Sequence, residues 1–310
     1  MKILEAPILR KGDRIGVIAP GGPVRAAAIE RGIEVLERRG FVVVRGAHLK
    51  DRSAYLAGED DDRAADANRM LADPTLRALW CARGGYGSHR IVGDLDLGSL
   101  RRSPRALIGY SDITVLQAAA WKRIGLVTFQ GPMVAELGDR RTYNAPALWR
   151  ALGGGRLRFD LPRRSILRAG RGSGPLVGGC LSILASLLGT PYQVDTKGAV
   201  LFWEEVNEQP FRIDRMLAQL RLAGCLKDLR GMVIGRLVGC RARRKENDVP
   251  LVEILRTHLG GTAYPVVVDF PAGHTADKVT LPLGRTAVLD TPGRRLTTAP
   301  AAPRAAFSAR

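Results

Sequence analysis

The sequence predicts an α/β protein of two domains: an N-terminal domain built on a mostly parallel sheet, and a smaller C-terminal α+β domain built on a mixed β-structure. Strand-like and helix-like segments alternate over the first 135 residues, which is typical of a parallel sheet covered by helices on both faces. Segments beyond residue 175 are shorter and more strand-like. The chain of 310 residues also exceeds the ~250–300 residues at which a single hydrophobic core usually stops growing.

The elements of the predicted N-terminal domain, residues 1–150, follow from apolar runs and the residues that end them. The run RIGVIA at 14–19 ends at a Pro-Gly-Gly sequence, as expected of a buried strand that enters a turn. Apolar residues at mostly helical spacing over 26–39 predict a helix that ends at Gly40. Further strands are predicted at 41–44, 76–82 and 106–109, and further helices at 60–72 and 112–124.

A change in composition marks the predicted boundary between the domains. Residues 151–174 are rich in Gly and Arg, which predicts a linker. The C-terminal domain is then placed at 175–293, and residues 294–310 are expected to form a flexible tail. Strands of this domain are predicted at 198–204, 231–238, 265–270 and 285–289, with helices near 181–188 and 211–222.

The chain is strongly basic, with 48 Lys and Arg against 30 Asp and Glu and a net charge of +18. Such a charge can indicate a nucleic-acid partner. Here the arginines are spread along the whole chain, and aromatic residues, which would stack on bases, make up only 5%. We therefore predict solvated arginine-rich faces and no nucleic-acid partner, and we leave open whether the basic cluster at 241–245 has a partner.

Several classes of protein are excluded by what the sequence lacks. No stretch approaches the ~20 apolar residues of a membrane span, and the N-terminus is too charged for a secretory signal. We therefore expect a cytoplasmic protein with no membrane partner. The four cysteines contain no C-x-x-C pair, which suits a reducing compartment. No metal-ligand spacing and no dinucleotide or P-loop glycine motif is present, so neither a metal nor an organic cofactor is expected.

The segment at 107–114, LIGYSDIT, predicts a strand that enters a tight turn at a serine, with a helix directly after it. Such a turn exposes Ser111 Oγ at the carboxyl edge of a sheet and points the Asp112 amide toward a developing oxyanion. The second glycine of the G-x-S-x-G motif is absent, because Ile113 stands there. An ordinary N-cap serine is the alternative interpretation, and the segment taken alone favours it.

A serine nucleophile needs a base and a carboxylate that orients the base. Of the four histidines, His274 follows an apolar strand in a loop, which gives it a modest advantage over His89. The predicted strand at 198–204 ends at two acids, Glu204 and Glu205. Alternation along a strand places them on opposite faces, so only one can face the histidine. A strand that simply leaves the core remains the alternative.

The turn Arg83-Gly84-Gly85-Tyr86-Gly87 follows the strand at 76–82 and exposes backbone amides. Such a turn is suited to cradle a phosphate or to donate hydrogen bonds to an oxyanion. The guanidinium of Arg83 has the forked geometry that binds a carboxylate, for example the terminal carboxylate of a peptide. An arginine that only braces the glycine turn is an equally good interpretation.

Taken together, these segments resemble the LD-carboxypeptidase family of serine peptidases, which also contains the microcin C immunity peptidases. The matching stretches, in family order over roughly residues 12–290, are GDRIGVIAPGGPV, LWCARGGYGSHRIV, LIGYSDITVL, FQGPMV, GPLVGGCLSIL, LFWEEVNEQPFRIDRMLAQL and FPAGHTADKVTLPLG. One departure is Cys180, where family members often carry Asn, so a substrate contact from that side chain is not carried over. The resemblance implies a flavodoxin- or Rossmann-like N-terminal domain, a site in the cleft between the two domains, and a homodimer.

The resemblance also assigns roles to the candidate residues. Ser111 matches the family's nucleophile, in the G-[YF]-S-D motif. Glu204, the first of the two acids, matches the catalytic carboxylate, and His274 matches the base. The triad would therefore combine one residue of the first domain with two of the second.

The backbone contacts to the oxyanion are implied by the same match. The oxyanion donors of the family map to the amides of Asp112 and of the glycine turn, where we place the donor at Gly85 with Gly84 as the alternative. Arg83 and Tyr86, in the same turn, are candidate substrate contacts that come from the chemistry of the turn and not from the match, and the bracing role of Arg83 stays an equal alternative. No metal is implied.

The function implied by the resemblance is that of an LD-carboxypeptidase. Such an enzyme removes the terminal D-alanine from cytoplasmic muropeptide tetrapeptides during peptidoglycan recycling, through an acyl-enzyme and without a cofactor. Two alternatives remain at this point. One is a microcin C-type peptide–nucleotide hydrolase that gives antibiotic immunity, and the other is a non-enzymatic, basic α/β binding module.

Overall fold

The computed structural model of the chain describes residues 2–244 and 248–302. The first half contains five strands: β1 (Arg14–Ile18), β2 (Val42–Arg45), β3 (Leu76–Cys81), β4 (Ala106–Gly109) and β5 (Thr128–Gln130). Its α-helices are α1 (Ala26–Arg38), α2 (Asp60–Ala72), α3 (Ser88–Ile91), α4 (Gly98–Arg102), α5 (Thr114–Ile124) and α6 (Ala145–Leu152).

The five strands of the first half form a parallel sheet in the order β2-β1-β3-β4-β5. Both faces of this sheet are buried. Ala106 and Ile108 of β4 lie in the core that contains α1, whereas Leu107 lies in the core that contains α5. Successive side chains of a strand point to opposite faces, so a strand covered on both sides is apolar throughout, as the sequence of β4 is.

Within residues 157–244 and 248–302, the second half contains nine strands: β6 (Leu157–Asp160), β7 (Ile166–Arg168), β8 (Arg171–Cys180), β9 (Val200–Val206), β10 (Gly231–Val238), β11 (Val266–Phe270), β12 (Leu281–Leu283), β13 (Thr286–Asp290) and β14 (Arg295–Thr298). The α-helices described here are α7 (Leu181–Ser186), α8 (Pro210–Leu222) and α9 (Leu251–Leu259). Across the described ranges, no helix combines the length and the apolar character needed to cross a bilayer.

Eight of these strands form a mixed sheet in the order β6-β14-β13-β8-β9-β10-β11-β7. The central strands β8 to β11 are parallel, and the flanking strands pair with their neighbours in the antiparallel direction. The remaining strand, β12, pairs antiparallel with β5 and so adds an edge strand to the first sheet. One hydrophobic core also contains residues of both halves, such as Leu116 of α5 and Leu184 of α7. The two halves are therefore packed together and share structure.

The structure confirms the predicted fold class, but two segments differ from the prediction. The tail expected from residue 294 is wrong for Arg295–Thr298, because this strand pairs with β13 on one side and with β6 on the other. The expected linker at 151–174 contains β6, β7 and the start of β8, and therefore belongs to the second sheet. Residues 303–310 of the expected tail, and residue 245 of the basic cluster, lie outside the described residues. The domain boundaries stay predictions.

Candidate active site

Ser111 lies two residues beyond β4, at the carboxyl edge of the first sheet. It adopts a left-handed backbone conformation with φ of 62°, which is unfavourable for a residue with a Cβ and costs on the order of 1–3 kcal/mol. A short 3-10 turn, Ser111–Ile113, then leads into α5. The capping interpretation of Ser111 is wrong: within residues 106–124 its side chain caps neither the 3-10 turn nor α5. The hydroxyl instead faces His274.

His274 lies in the loop that follows β11, and its ring joins the serine to a carboxylate. Nε2 lies 3.1 Å from Ser111 Oγ, and Nδ1 lies 2.7 Å from Glu204 Oε2. The His274 backbone amide donates a second hydrogen bond to the same oxygen at 3.2 Å. Gly273, with φ of 97°, permits this approach, because a Cβ at that position would collide with the Glu204 carboxylate.

Glu204 is completely buried near the end of β9, and its neighbour Glu205 points to the other face of the strand. Glu205 Oε2 accepts a hydrogen bond from the Ser182 amide at 2.7 Å, and Oε1 accepts one from the Val206 amide at 2.9 Å. Burial raises the pKa of Glu205. Strand periodicity predicts that one acid faces the histidine, and in the structure that acid is Glu204.

The environment of His274 adjusts both its tautomer and its basicity. When Nδ1–H donates to Glu204, the lone pair of Nε2 is left to accept the hydroxyl proton of Ser111. Burial on its own lowers the pKa of His274, but the hydrogen bond and the charge of Glu204 outweigh it, so the pKa is raised. The ring of Tyr110 packs edge-on against the imidazole, with centroids 4.9 Å apart.

The glycine turn predicted to hold the oxyanion lies directly against the serine. A Cβ added at Gly84 would lie 3.0 Å from Ser111 Cβ and 3.3 Å from Oγ. Gly85 has φ of 94°, which favours glycine. Within the described ranges the amides of Gly84 and Gly85 have no hydrogen-bond acceptor, so both are free to bind an oxygen atom. Asp112, whose amide follows the serine, accepts a hydrogen bond from the Ser88 amide through its buried carboxylate at 3.0 Å.

Ser111 and His274 open into a pocket of about 810 Å³, and Arg83 lies in the lining of this pocket. Nη1 of Arg83 donates a hydrogen bond to the Pro23 carbonyl oxygen at 2.6 Å, so the side chain both braces the turn and faces the pocket. Tyr86 lies outside the lining and packs against Tyr55, with ring centroids 5.7 Å apart. A substrate contact from Tyr86 therefore stays a prediction without support from its position.

Three charged residues of the lining were missed by sequence reasoning: Arg25, Arg52 and Glu136. They lie in connecting segments at the edge of the first sheet, and no motif distinguishes them from the many other charged residues of the chain. Glu136 lies just beyond the stretch FQGPMV, which is the one sequence signal near it.

His89 and Cys180, two other residues considered in the sequence analysis, have partners other than Ser111 and His274. His89 Nε2 lies 2.8 Å from Ser186 Oγ rather than at Ser111, so His89 is not the partner of the proposed nucleophile. Cys180 is buried with its Sγ 3.5 Å from Glu205 Oε1, and burial raises the pKa of its thiol well above the usual value. It is absent from the pocket lining.

An alcohol, an imidazole and a carboxylate joined end to end beside free backbone amides are typical of hydrolases that act through a serine. The chain matches the LD-carboxypeptidase N-terminal domain over residues 15–131 and the LD-carboxypeptidase C-terminal domain over residues 173–289. It belongs to the LD-carboxypeptidase family, and it is a carboxypeptidase, as the resemblance predicts. The alternative of a non-enzymatic binding module is therefore wrong.

Similar proteins cover nearly the whole chain. A probable murein peptide carboxypeptidase of Bacillus subtilis is 36% identical and covers 91% of this chain and 90% of its own length. A murein tetrapeptide carboxypeptidase of Pseudomonas aeruginosa is 33% identical, with 91% and 94% covered. The microcin C7 self-immunity protein MccF of Escherichia coli is 26% identical, with 93% of both chains covered. The structure of a muramoyltetrapeptide carboxypeptidase from Oxalobacter formigenes superposes with a TM-score of 0.83 at 31% identity, covering 92% of this chain and 98% of the other.

Proposed function

We propose that this carboxypeptidase removes the terminal D-alanine from muropeptide tetrapeptides, with Ser111 as nucleophile, His274 as base and Glu204 as the orienting carboxylate. The observation that carries the proposal is the continuous hydrogen-bonded chain from Ser111 Oγ through His274 to Glu204, assembled from both halves at the mouth of a pocket. The named activities of the Bacillus and Pseudomonas relatives support the substrate class.

The proposed reaction is acyl transfer through the serine. His274 Nε2 takes the proton of Ser111 as Oγ attacks the carbonyl carbon that precedes D-alanine, and Glu204 stabilises the resulting imidazolium. The amides of Asp112 and Gly85, with Gly84 as the alternative to Gly85, bind the oxyanion; loss of one such donor typically costs about 10²–10³ in rate. His274 then protonates the departing amine of D-alanine, and water hydrolyses the acyl-enzyme.

The finer features of this function are also proposals. We place the enzyme in the cytoplasm, where the tripeptide product would return to cell-wall recycling, and we expect a homodimer that needs neither a metal nor an organic cofactor. The bond cleaved would join the L-centre of diaminopimelate to D-alanine. These features come from the family resemblance.

The test is mass spectrometry of a disaccharide tetrapeptide incubated with the purified protein. The wild type should release one D-alanine, and Ser111→Ala should reduce the rate by at least about 10³-fold while leaving thermal unfolding unchanged. Ser186→Ala is the matched control, because Ser186 forms the other serine–histidine contact, with His89, and should retain the wild-type rate. Undiminished release of D-alanine by Ser111→Ala would refute the proposed nucleophile.

A peptide–nucleotide hydrolase is the second candidate, because MccF is a relative over nearly the full length of the chain. The same assay should include an aminoacyl-sulfamoyl adenosine beside the tetrapeptide. We expect a much higher kcat/KM for the tetrapeptide; the reverse order would make immunity hydrolysis the better assignment.

A further inference from the structure

The pocket that contains Ser111 and His274 is lined by three arginines, Arg25, Arg52 and Arg83, all of them exposed. Some exposed arginines of the chain pair with acids, as Arg45 does with Glu30 at 2.7 Å, whereas others, such as Arg140 and Arg256, form no ion pair within the described residues. The three pocket arginines belong to the second group, since none of them forms an ion pair within the described part of the chain. Their positive charge is therefore available to a ligand.

The acid in the same lining, Glu136, is already neutralised. Its Oε1 accepts a hydrogen bond from the Lys278 ammonium at 2.8 Å and one from the Tyr110 hydroxyl at 3.0 Å. Its Oε2 accepts one from the Met133 amide at 2.8 Å. Because the charge of Glu136 is cancelled by Lys278, it does not offset the three arginines.

The arginines are placed by the topology of the first sheet. Arg25 follows β1, Arg52 follows β2 and Arg83 follows β3, while Ser111 follows β4. The carboxyl ends of neighbouring parallel strands meet at one edge of a sheet, which is where open α/β sheets bind their ligands. The three arginines therefore lie in loops at the same edge of the sheet as Ser111 and line the same pocket.

We infer that this pocket selects peptides that carry several free carboxylates near the scissile bond, with Arg25, Arg52 and Arg83 as the specificity-determining residues. The inference rests on the proposed function and deepens it. A muropeptide tetrapeptide carries one free carboxylate on glutamate, one on diaminopimelate and one on terminal D-alanine when none is amidated. The pocket is thus built for the non-amidated peptide, since a guanidinium binds a carboxylate through charge-assisted, bidentate hydrogen bonds that an amide cannot replace.

The experiment compares D-alanine release from two tetrapeptides of almost equal size, one with free carboxylates and one amidated on glutamate and diaminopimelate. Wild-type kcat/KM should be at least about tenfold lower for the amidated peptide, chiefly through KM. Added salt should raise KM for the free-acid peptide more than for the amidated one, because ions screen exposed charges.

Variants then identify the residues. Arg25→Gln, Arg52→Gln and Arg83→Gln should each lower kcat/KM for the free-acid peptide by about fivefold, and should lower it less for the amidated peptide. Arg38→Gln is the matched control, because Arg38 is an exposed arginine at the far end of α1, outside the pocket lining, and should change neither value.

The outcomes separate the two proposals. Equal kcat/KM for both peptides, with no effect of the three substitutions, would overturn the charge selection while leaving the proposed carboxypeptidase function intact. Absence of D-alanine release from both peptides would instead overturn the proposed function, and this inference with it.

Discussion

The two halves of the chain contribute to the candidate site in physically different ways. The first half supplies the Ser111 hydroxyl, on a backbone in the left-handed conformation, and the glycine turn at Gly84 and Gly85 with its free amides. The second half supplies two side chains, Glu204 and His274, held by hydrogen bonds and charge. We therefore expect catalytic activity to fall when side-chain atoms are added in the first half, and when charges are removed in the second half.

The largest loss of activity should follow removal of the Glu204 charge in the second half. Glu204→Gln keeps the size of the buried side chain, but the Gln amide can donate to His274 Nδ1 and so favours the wrong imidazole tautomer. We expect kcat to fall by about 10³–10⁴-fold, as for an acid-to-amide change in other triads. The measurement is kcat at neutral pH, with thermal unfolding recorded to confirm that the variant is folded.

The matched control for this prediction is Glu205→Gln. Glu205 is buried on the same strand but binds the Ser182 and Val206 amides, which a Gln oxygen can also accept. Its kcat should stay within about tenfold of the wild type, because only indirect electrostatic effects reach His274. Similar losses in both variants would show that burial of any acid on β9, rather than contact with His274, determines activity.

An added methyl group should test the first half. Gly84→Ala would place a Cβ 3.3 Å from Ser111 Oγ and 3.4 Å from Met133 Cε, without requiring a positive φ. Since we propose that this space receives the substrate carbonyl, we expect kcat/KM to fall by about 10²-fold with little change in unfolding temperature. Gly93→Ala is the control, because its Cβ would meet only Tyr192 Oη at 3.9 Å. Wild-type activity of Gly84→Ala would mean that the substrate does not approach along this turn.

Much of the site can be predicted from the sequence, because Ser111, Glu204 and His274 each lie at or beyond the end of an apolar strand. Parallel strands bring such residues to the carboxyl edge of their own sheet, which is the first sheet for Ser111 and the second for Glu204 and His274. The strand ends therefore suggest the residues, but not that the two edges meet. Periodicity cannot decide between Glu204 and Glu205, since the choice depends on which face of β9 packs against the His274 loop. That packing is a contact across 70 residues of sequence.

The parts that could not be predicted are those without a local pattern. Strands β6, β7 and β14 lie in segments whose Gly, Arg and Pro content resembles that of loops, and only pairing with distant strands makes them extended. Arg25 and Arg52 likewise have no local sequence pattern that identifies them as pocket residues. Their place in the pocket follows from the order of strands in the sheet and not from neighbouring residues.

The smallest effect should appear in the pH dependence of kcat/KM, which reports the protonation of His274 in the second half. Only neutral His274 can accept the serine proton, so kcat/KM should rise with pH through the pKa of His274. Burial lowers this pKa, but Glu204 raises it more, so the midpoint of the acid limb should lie above the usual value of 6.5. A midpoint below 6.5 would mean that desolvation, rather than the carboxylate, controls the imidazole.

Lys278→Met should shift that midpoint further. Glu136 contributes to the raised pKa of His274, and the Lys278 ammonium, 2.8 Å from Glu136 Oε1, opposes this contribution. Removing the cation should therefore move the acid limb upward, with kcat/KM on the alkaline plateau reduced less than about threefold. Lys122→Met, which breaks an exposed pair with Asp195, is the control and should leave the profile unchanged. An unchanged midpoint in Lys278→Met would show that the Glu136–Lys278 pair does not act on the imidazole through its charge.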